Sequence, residues 1–154
     1  MSEVVFVRPT LDAIKVIAAD MRQADIDEVW ASNRKTPMTS LLDGWKNSHY
    51  CAVAEVDNTP LVMFGLVNVG LLSDKGVIWM LGSNKSLQYR RQFLIKTPDI
   101  IEEMLNICPN LCNMVHTKNK VSIQWLRWLG FTIEKPVEYG PDKELFHKFY
   151  LRRV

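Results

Sequence analysis

Two adjacent arginines, Arg90 and Arg91, follow a serine able to cap a helix, Ser86. If Ser86 opens that helix, both cations sit at the end of its first turn, where they oppose the helix dipole by about 0.3–1 kcal/mol each. Screening by water is one outcome. The chemistry open to the pair is anion binding, with a phosphate held between the guanidinium groups and the backbone N–H groups of the turn. His116 stands three residues before Asn119 and is the histidine best placed to act as a base if its ring faces a cleft there. His49, His116 and His147 lack metal-ligand spacing, and Cys108 and Cys112 pair with no nearby histidine in a ligand pattern, so no metal centre is expected.

These residues need elements to position them. The organising stretch is Asn119 to Phe131. Val121, Trp125 and Leu129, with Leu126 and Trp128, recur at three- and four-residue spacing, which predicts an amphipathic helix. Asn119 is expected to cap it, Gly130 to end it in the left-handed conformation, and Phe131 to open a strand. Upstream, Val4–Val7 predicts a strand, and Thr10 caps a helix with Leu11, Ile14, Ile17, Ala18 and Met21 on its buried face. A second helix carries Ile26, Val29 and Trp30 as its apolar residues. A third starts at Thr36-Pro37, with proline at the first helical position. Strands at 50–56 and 61–69 form a hairpin through Asp57-Asn58-Thr59-Pro60. Val77–Leu81 is a further strand, Ser73-Asp74-Lys75-Gly76 the turn before it. The helix begun at Ser86 is expected to kink or restart at Thr97-Pro98-Asp99 and to end at Pro109. Strands at 111–116, 132–137 and 145–151 complete the chain.

The order β-ααα-β-β-β-α-β-α-β-β predicts an α/β protein: a three-layer arrangement, a mixed central sheet with helices on both faces. The strands before and after the long helix should be parallel neighbours, because a helix crosses between them. The pattern alone leaves several α+β arrangements open. The chain of 154 residues suits one domain over 1–154. Its net charge of +2 argues against a general nucleic-acid binder. Three cysteines and an N-terminus without basic and apolar targeting regions suggest a reduced, cytosolic setting, and no apolar run approaches the ~20 residues of a membrane span.

Asn119, Ser122, Trp125, Leu126, Gly130 and Phe131 occupy the spacing of the last sequence motif of the GNAT acetyltransferase superfamily, and the order of elements resembles that fold nearly end to end. The resemblance implies acetyl-CoA as cofactor, with Leu81, Gly82, Ser83, Arg90, Arg91 and Asn119 as the coenzyme-binding positions. It also marks departures. The superfamily writes its pyrophosphate loop as Arg/Gln-x-x-Gly-x-Gly/Ala; here Lys85 to Gln92 holds no glycine, with Gln88 and Arg90 at those points. Leu126 stands where a tyrosine acid is common. The strand Val77–Leu81 has no glutamate to act as base. His116 is then the candidate catalytic residue.

The second half is similar to a narrower group, the GNAT-like family named for internal virion protein A of T7-like podophages. The likeness rests on Tyr89–Leu94, Pro109-Asn110-Leu111, Asn119 to Phe131, Tyr139-Gly140 and Phe146–Phe149. It implies a bacteriophage protein made in the host cytoplasm, linked to virion assembly or carried in the virion, with catalysis lost or altered and a phage or host protein as partner. A working N-acetyltransferase acting on a host or phage protein is the alternative. A phage inhibitor of a host enzyme, using an exposed aromatic patch, is a third.

Overall fold

The computed structural model describes residues 2–70 and 73–153; Met1, Leu71, Leu72 and Val154 lie outside the described residues. Two helix starts form as their residue types dictate. Thr10 Oγ accepts the Ala13 N–H (3.1 Å), and Thr36 Oγ accepts the Thr39 N–H (3.3 Å) with Pro37 following. Between the second and third strands, Asp57 and Asn58 both take positive φ, the two-residue turn that matches strand twist. Chain order is β1 (Val5–Val7), α1 (Leu11–Ala19), α2 (Gln23–Asn33), α3 (Pro37–Asn47), β2 (Tyr50–Val56), β3 (Thr59–Asn68), β4 (Lys75–Gly82), a 3-10 helix (Asn84–Tyr89), α4 (Arg90–Ile107), β5 (Asn110–His116), α5 (Lys120–Trp128), β6 (Thr132–Tyr139) and β7 (Glu144–Arg152).

The strands form one mixed sheet ordered β1-β2-β3-β4-β5-β7-β6. All neighbours are antiparallel except β4 and β5, which are parallel as the crossover helix requires. Alternate side chains of the sheet feed two cores. On one face Val62, Phe64 and Ile78 pack with Phe93, Ile100 and Met104 of α4 and Ile123 and Leu126 of α5. On the other, Val53, Met63 and Leu81 pack with Ile14 and Ile17 of α1 and Leu41 of α3. The result is a three-layer α/β fold. No helix among the described residues is long and apolar enough to cross a membrane.

Three local expectations change. Residues Arg90–Ile107 form one helix with Pro98 inside it, and the Thr97 hydroxyl donates to the Phe93 carbonyl within it. Ser83, not Ser86, is the cap, and the helix start it closes is the 3-10 segment. Third, α2 turns its polar side inward. Asp25 is 2% exposed, whereas Trp30 is 47% exposed under the Arg34 guanidinium.

The β6–β7 turn is pinned to the end of α2. Gly140 has φ +81°, and a Cβ there would collide with the Ala31 carbonyl oxygen. Gly140→Ala is therefore expected to cost about 1–3 kcal/mol, from backbone strain and displacement of α2. Thermal denaturation checks this; an unchanged midpoint would mean that the turn is free to move.

Candidate functional site: the splay between β4 and β5

The parallel pairing of β4 and β5 spans Lys75–Asn110, Gly76–Leu111 and Val77–Cys112, and then stops. Beyond it the two strands part and a cleft of about 730 Å³ opens. The β3 ladder takes the backbone groups of Ser83 and, by antiparallel alternation, those of Leu81 and Trp79. The groups of Ile78, Met80 and Gly82 consequently face the splay. Ile78 O accepts from Asn113 Nδ2 (2.6 Å). Gly82 N–H donates to Asp25 Oδ2 (3.0 Å), and Gly82 O accepts the Arg22 N–H (2.9 Å). Met80 keeps its edge open where the cleft meets a second cavity.

That second cavity, about 370 Å³, lies between the start of α4 and the outer face of α5. Leu87, Arg90 and Leu94 line one side; Val121, Gln124 and Trp128 line the other. It shares Val62, Met80, Phe93, Ser122 and Trp125 with the cleft, so the two make one channel. Trp125 Nε1 is shut off from solvent without a hydrogen-bond partner among the described residues, and Ser40 Oγ in the cleft wall is the same. Orphaned buried polar atoms are rare in folded proteins; these two lie beneath the channel surface, in its walls.

The polar centre of the channel comes from α2. Arg22, the residue that opens α2, and Asp25 and Glu28 within it fall at three-residue steps, toward one side. Arg22 Nη1 contacts both oxygens of Asp25 at 3.2 Å, and its Nη2 donates to Asn119 Oδ1 (3.0 Å). Asn119 Nδ2 donates to Asp25 Oδ1 (3.1 Å) and reaches Glu28 Oε1 at 3.4 Å. Asn119 is thus not a helix cap: 1% exposed, its amide ties α5 to α2. Arg22 and Asp25, in turn, tie α2 to the end of β4.

Glu28 lines the cleft. Its Oε1 accepts the His116 backbone N–H (2.7 Å); Oε2 has no partner among the described residues. Burial pushes its carboxyl up to about 7, and the nearby Asp25 charge adds to this, against the pull of the His116 N–H. Burial also pushes Asp25 up, opposed by Arg22 and by the hydrogen bonds from Gly82 and Asn119. A carboxyl that titrates near neutrality on a cleft wall can take a proton from an amine.

The sequence-predicted residues divide. Leu81, Gly82 and Ser83 end β4, and Gly82 and Asn119 meet through the Arg22–Asp25 pair. Arg90 lines the second cavity, and Arg91 beside it is exposed. The His116 ring turns elsewhere. Its Nδ1 accepts the Lys118 N–H (3.1 Å), which puts the ring proton on Nε2, 2.8 Å from Glu144, with Phe146 against the ring. Sequence reasoning missed Glu28, Arg22 and Asp25. The available signal was the three-residue spacing of an arginine and two acids on a short helix, masked by Ile26, Val29 and Trp30.

Whether these residues fit coenzyme A has two answers. The open Met80 edge suits the amide-bearing pantetheine arm. The pyrophosphate fits poorly. The 3-10 helix runs directly into α4, so α4 has no free N-terminus. At the 3-10 start, Asn84 N–H donates to Asp20 O (2.8 Å), Lys85 N–H to the Asp20 carboxylate (3.3 Å), and Ser86 N–H to Ser83. An aspartate already occupies the place of an anion.

No family model and no curated protein sequence matches the chain. Solved structures do match. An N-acetyltransferase from Staphylococcus aureus Mu50 superposes with a TM-score of 0.71 at 13% identity, covering 97% of this chain and 98% of that one. Spermidine N-acetyltransferase from Vibrio cholerae, in complex with CoA and spermine, gives 0.69 at 12%, over 97% and 95%. A Bacillus subtilis acetyltransferase in complex with CoA gives 0.66 at 10%, over all of both chains. At these identities the likeness is one of architecture: the chain shares the fold of these acetyltransferases.

Proposed function

We propose that the protein is an N-acyltransferase of GNAT fold whose base, Glu28, comes from α2. The observation that carries this is the half-buried Glu28 carboxyl, titrating near 7, on the wall of the β4–β5 cleft. The thioester donor supplies an electrophilic acyl carbon; its C–S bond breaks as the amine nitrogen forms the new C–N bond. Glu28 accepts the proton the neutral amine loses and returns it through solvent to the leaving thiolate, so the reaction balances without a further acid. The open Met80 edge would hold the donor arm, with the Trp125 ring as an apolar wall. Leu126 supplies no acid. Fold likeness supports acetyl-CoA as the donor to try first.

The resemblance to the podophage family supports placing this activity in a phage protein made in the host cytoplasm, acting on a phage or host protein. A second reading has its own observation. With Gly82, Asn119 and the Asn84–Ser86 N–H groups engaged by the chain's own side chains and backbone, the fold would serve virion assembly as a binding surface without catalysis. Free-thiol release from acetyl-CoA and from S-acetyl-pantetheine separates the two readings. Polyamine, amino-acid and peptide amines serve as acceptors. Amine-dependent release is expected from at least one pair, and none from any pair would leave the binding reading.

A further inference from the structure

We infer that the natural donor is an acyl group on a pantetheine arm carried by an acidic protein, not on a free nucleotide. This rests on the acyltransferase reading above. Two features of the site point the same way. The channel offers an arm its open Met80 edge, whereas the helix start that leads into α4 is closed to a diphosphate: the 3-10 segment runs straight into α4, and Asp20 and Ser83 hold the N–H groups of Asn84, Lys85 and Ser86. A nucleotide would bring two phosphates to a place that already has a carboxylate, so its recognition energy is lost.

The mouth of the channel is suited to a protein. Lys85, Arg90 and Arg91 lie at the start of the α4 side. Lys120 and Arg127 flank Gln124 at helical steps of four and three, so they border the face of α5 that Gln124 turns to the cavity. All five are exposed, and none has an ion-pair partner among the described residues. Beside them Val121 is 39% and Trp128 55% exposed at the cavity wall. A basic rim around an apolar, tryptophan-bearing opening complements an acidic surface delivering an apolar arm. The one phosphate of such an arm would meet the Arg90 guanidinium at the mouth, whose paired N–H donors can hold it without a backbone cradle.

Calorimetry on the full chain tests this with three probes: acetyl-CoA, S-acetyl-pantetheine, and an acidic carrier domain loaded with an S-acetyl-phosphopantetheine arm. The first two are expected to bind within about threefold of each other, and the carrier at least about tenfold more tightly. Lys120→Glu/Arg127→Glu should lower carrier affinity about tenfold or more and leave pantetheine binding unchanged. Acetyl-CoA binding about a hundredfold more tightly than the pantetheine thioester would overturn the inference while leaving the acyltransferase reading intact. A carrier no tighter than free pantetheine would also overturn it. If none of the three binds, the acyltransferase reading falls as well.

Discussion

Glu28→Gln is expected to slow acyl transfer about 10²–10⁴-fold while making the protein more stable above neutral pH. The rate effect follows from removing the group that accepts the amine proton. Gln keeps the side-chain oxygen that receives the His116 N–H at 2.7 Å, so the site should stay in shape. In the wild type, kcat/KM should rise with pH through about 7, the value to which burial pushes this carboxyl. In the variant that rise should vanish. The stability effect has the opposite sense. An acid whose pKa is raised in the folded state binds more protons folded than unfolded, between its ordinary value of 4.5 and about 7. Wild-type stability therefore falls as pH rises across that window, and the loss is complete above 7. At 1.36 kcal/mol per unit the whole effect is about 3 kcal/mol. Glu28→Gln should match wild type near pH 4 and exceed it at pH 8 in urea melts. A variant with wild-type rate and an unchanged pH profile would remove Glu28 from the chemistry.

Arg22→Ala should be the most damaging single substitution in the polar centre, at about 3–5 kcal/mol. Arg22 is 8% exposed and Asp25 2%. Removing the guanidinium leaves the Asp25 charge buried without its counterion, with only Gly82 N–H and the Asn119 amide to hold it, and leaves Asn119 Oδ1 unpaired. A loss of this size lowers the midpoint of a domain of this length by roughly 10 °C. Asp25→Asn in the same background should recover much of it, since the buried charge is then gone, and the double-mutant cycle should show strong coupling. Additive losses would mean that the two side chains act separately. Because Arg22 also lines the second cavity, donor binding should be measured on the stabler double variant.

The fold was largely legible from local chemistry. Thr10, Thr36-Pro37 and Asp57-Asn58 each act within three residues of themselves, so their neighbours in sequence are their partners in space. The parallel β4–β5 pair followed from the helix between them. The site was less legible because its bonds are long-range. Arg22 meets Asn119 across 97 positions, and Gly82 meets Asp25 across 57. Asn119 looked like a cap because its position before a helix allows that role; its backbone leaves the amide free to reach α2 instead. Reading α2 by its apolar residues hid the face that matters. A helix at a polar centre turns its charges inward, and hydrophobic periodicity cannot report that.

The way β4 and β5 are joined has a mechanical consequence. The two halves of the sheet share a ladder of three residue pairs at one end, and are pinned at the other by Arg22 and Asp25 between Gly82 and Asn119. Gly82 lies five residues past the last pair, a lever arm of about 16 Å at the rise of an extended strand. A shift of about 1 Å at the pin turns the strand by about 4° about the ladder. Two side chains at the start of a short helix thus set the aperture of the whole wedge, and small changes in their charge or length act there with the full leverage of the strand.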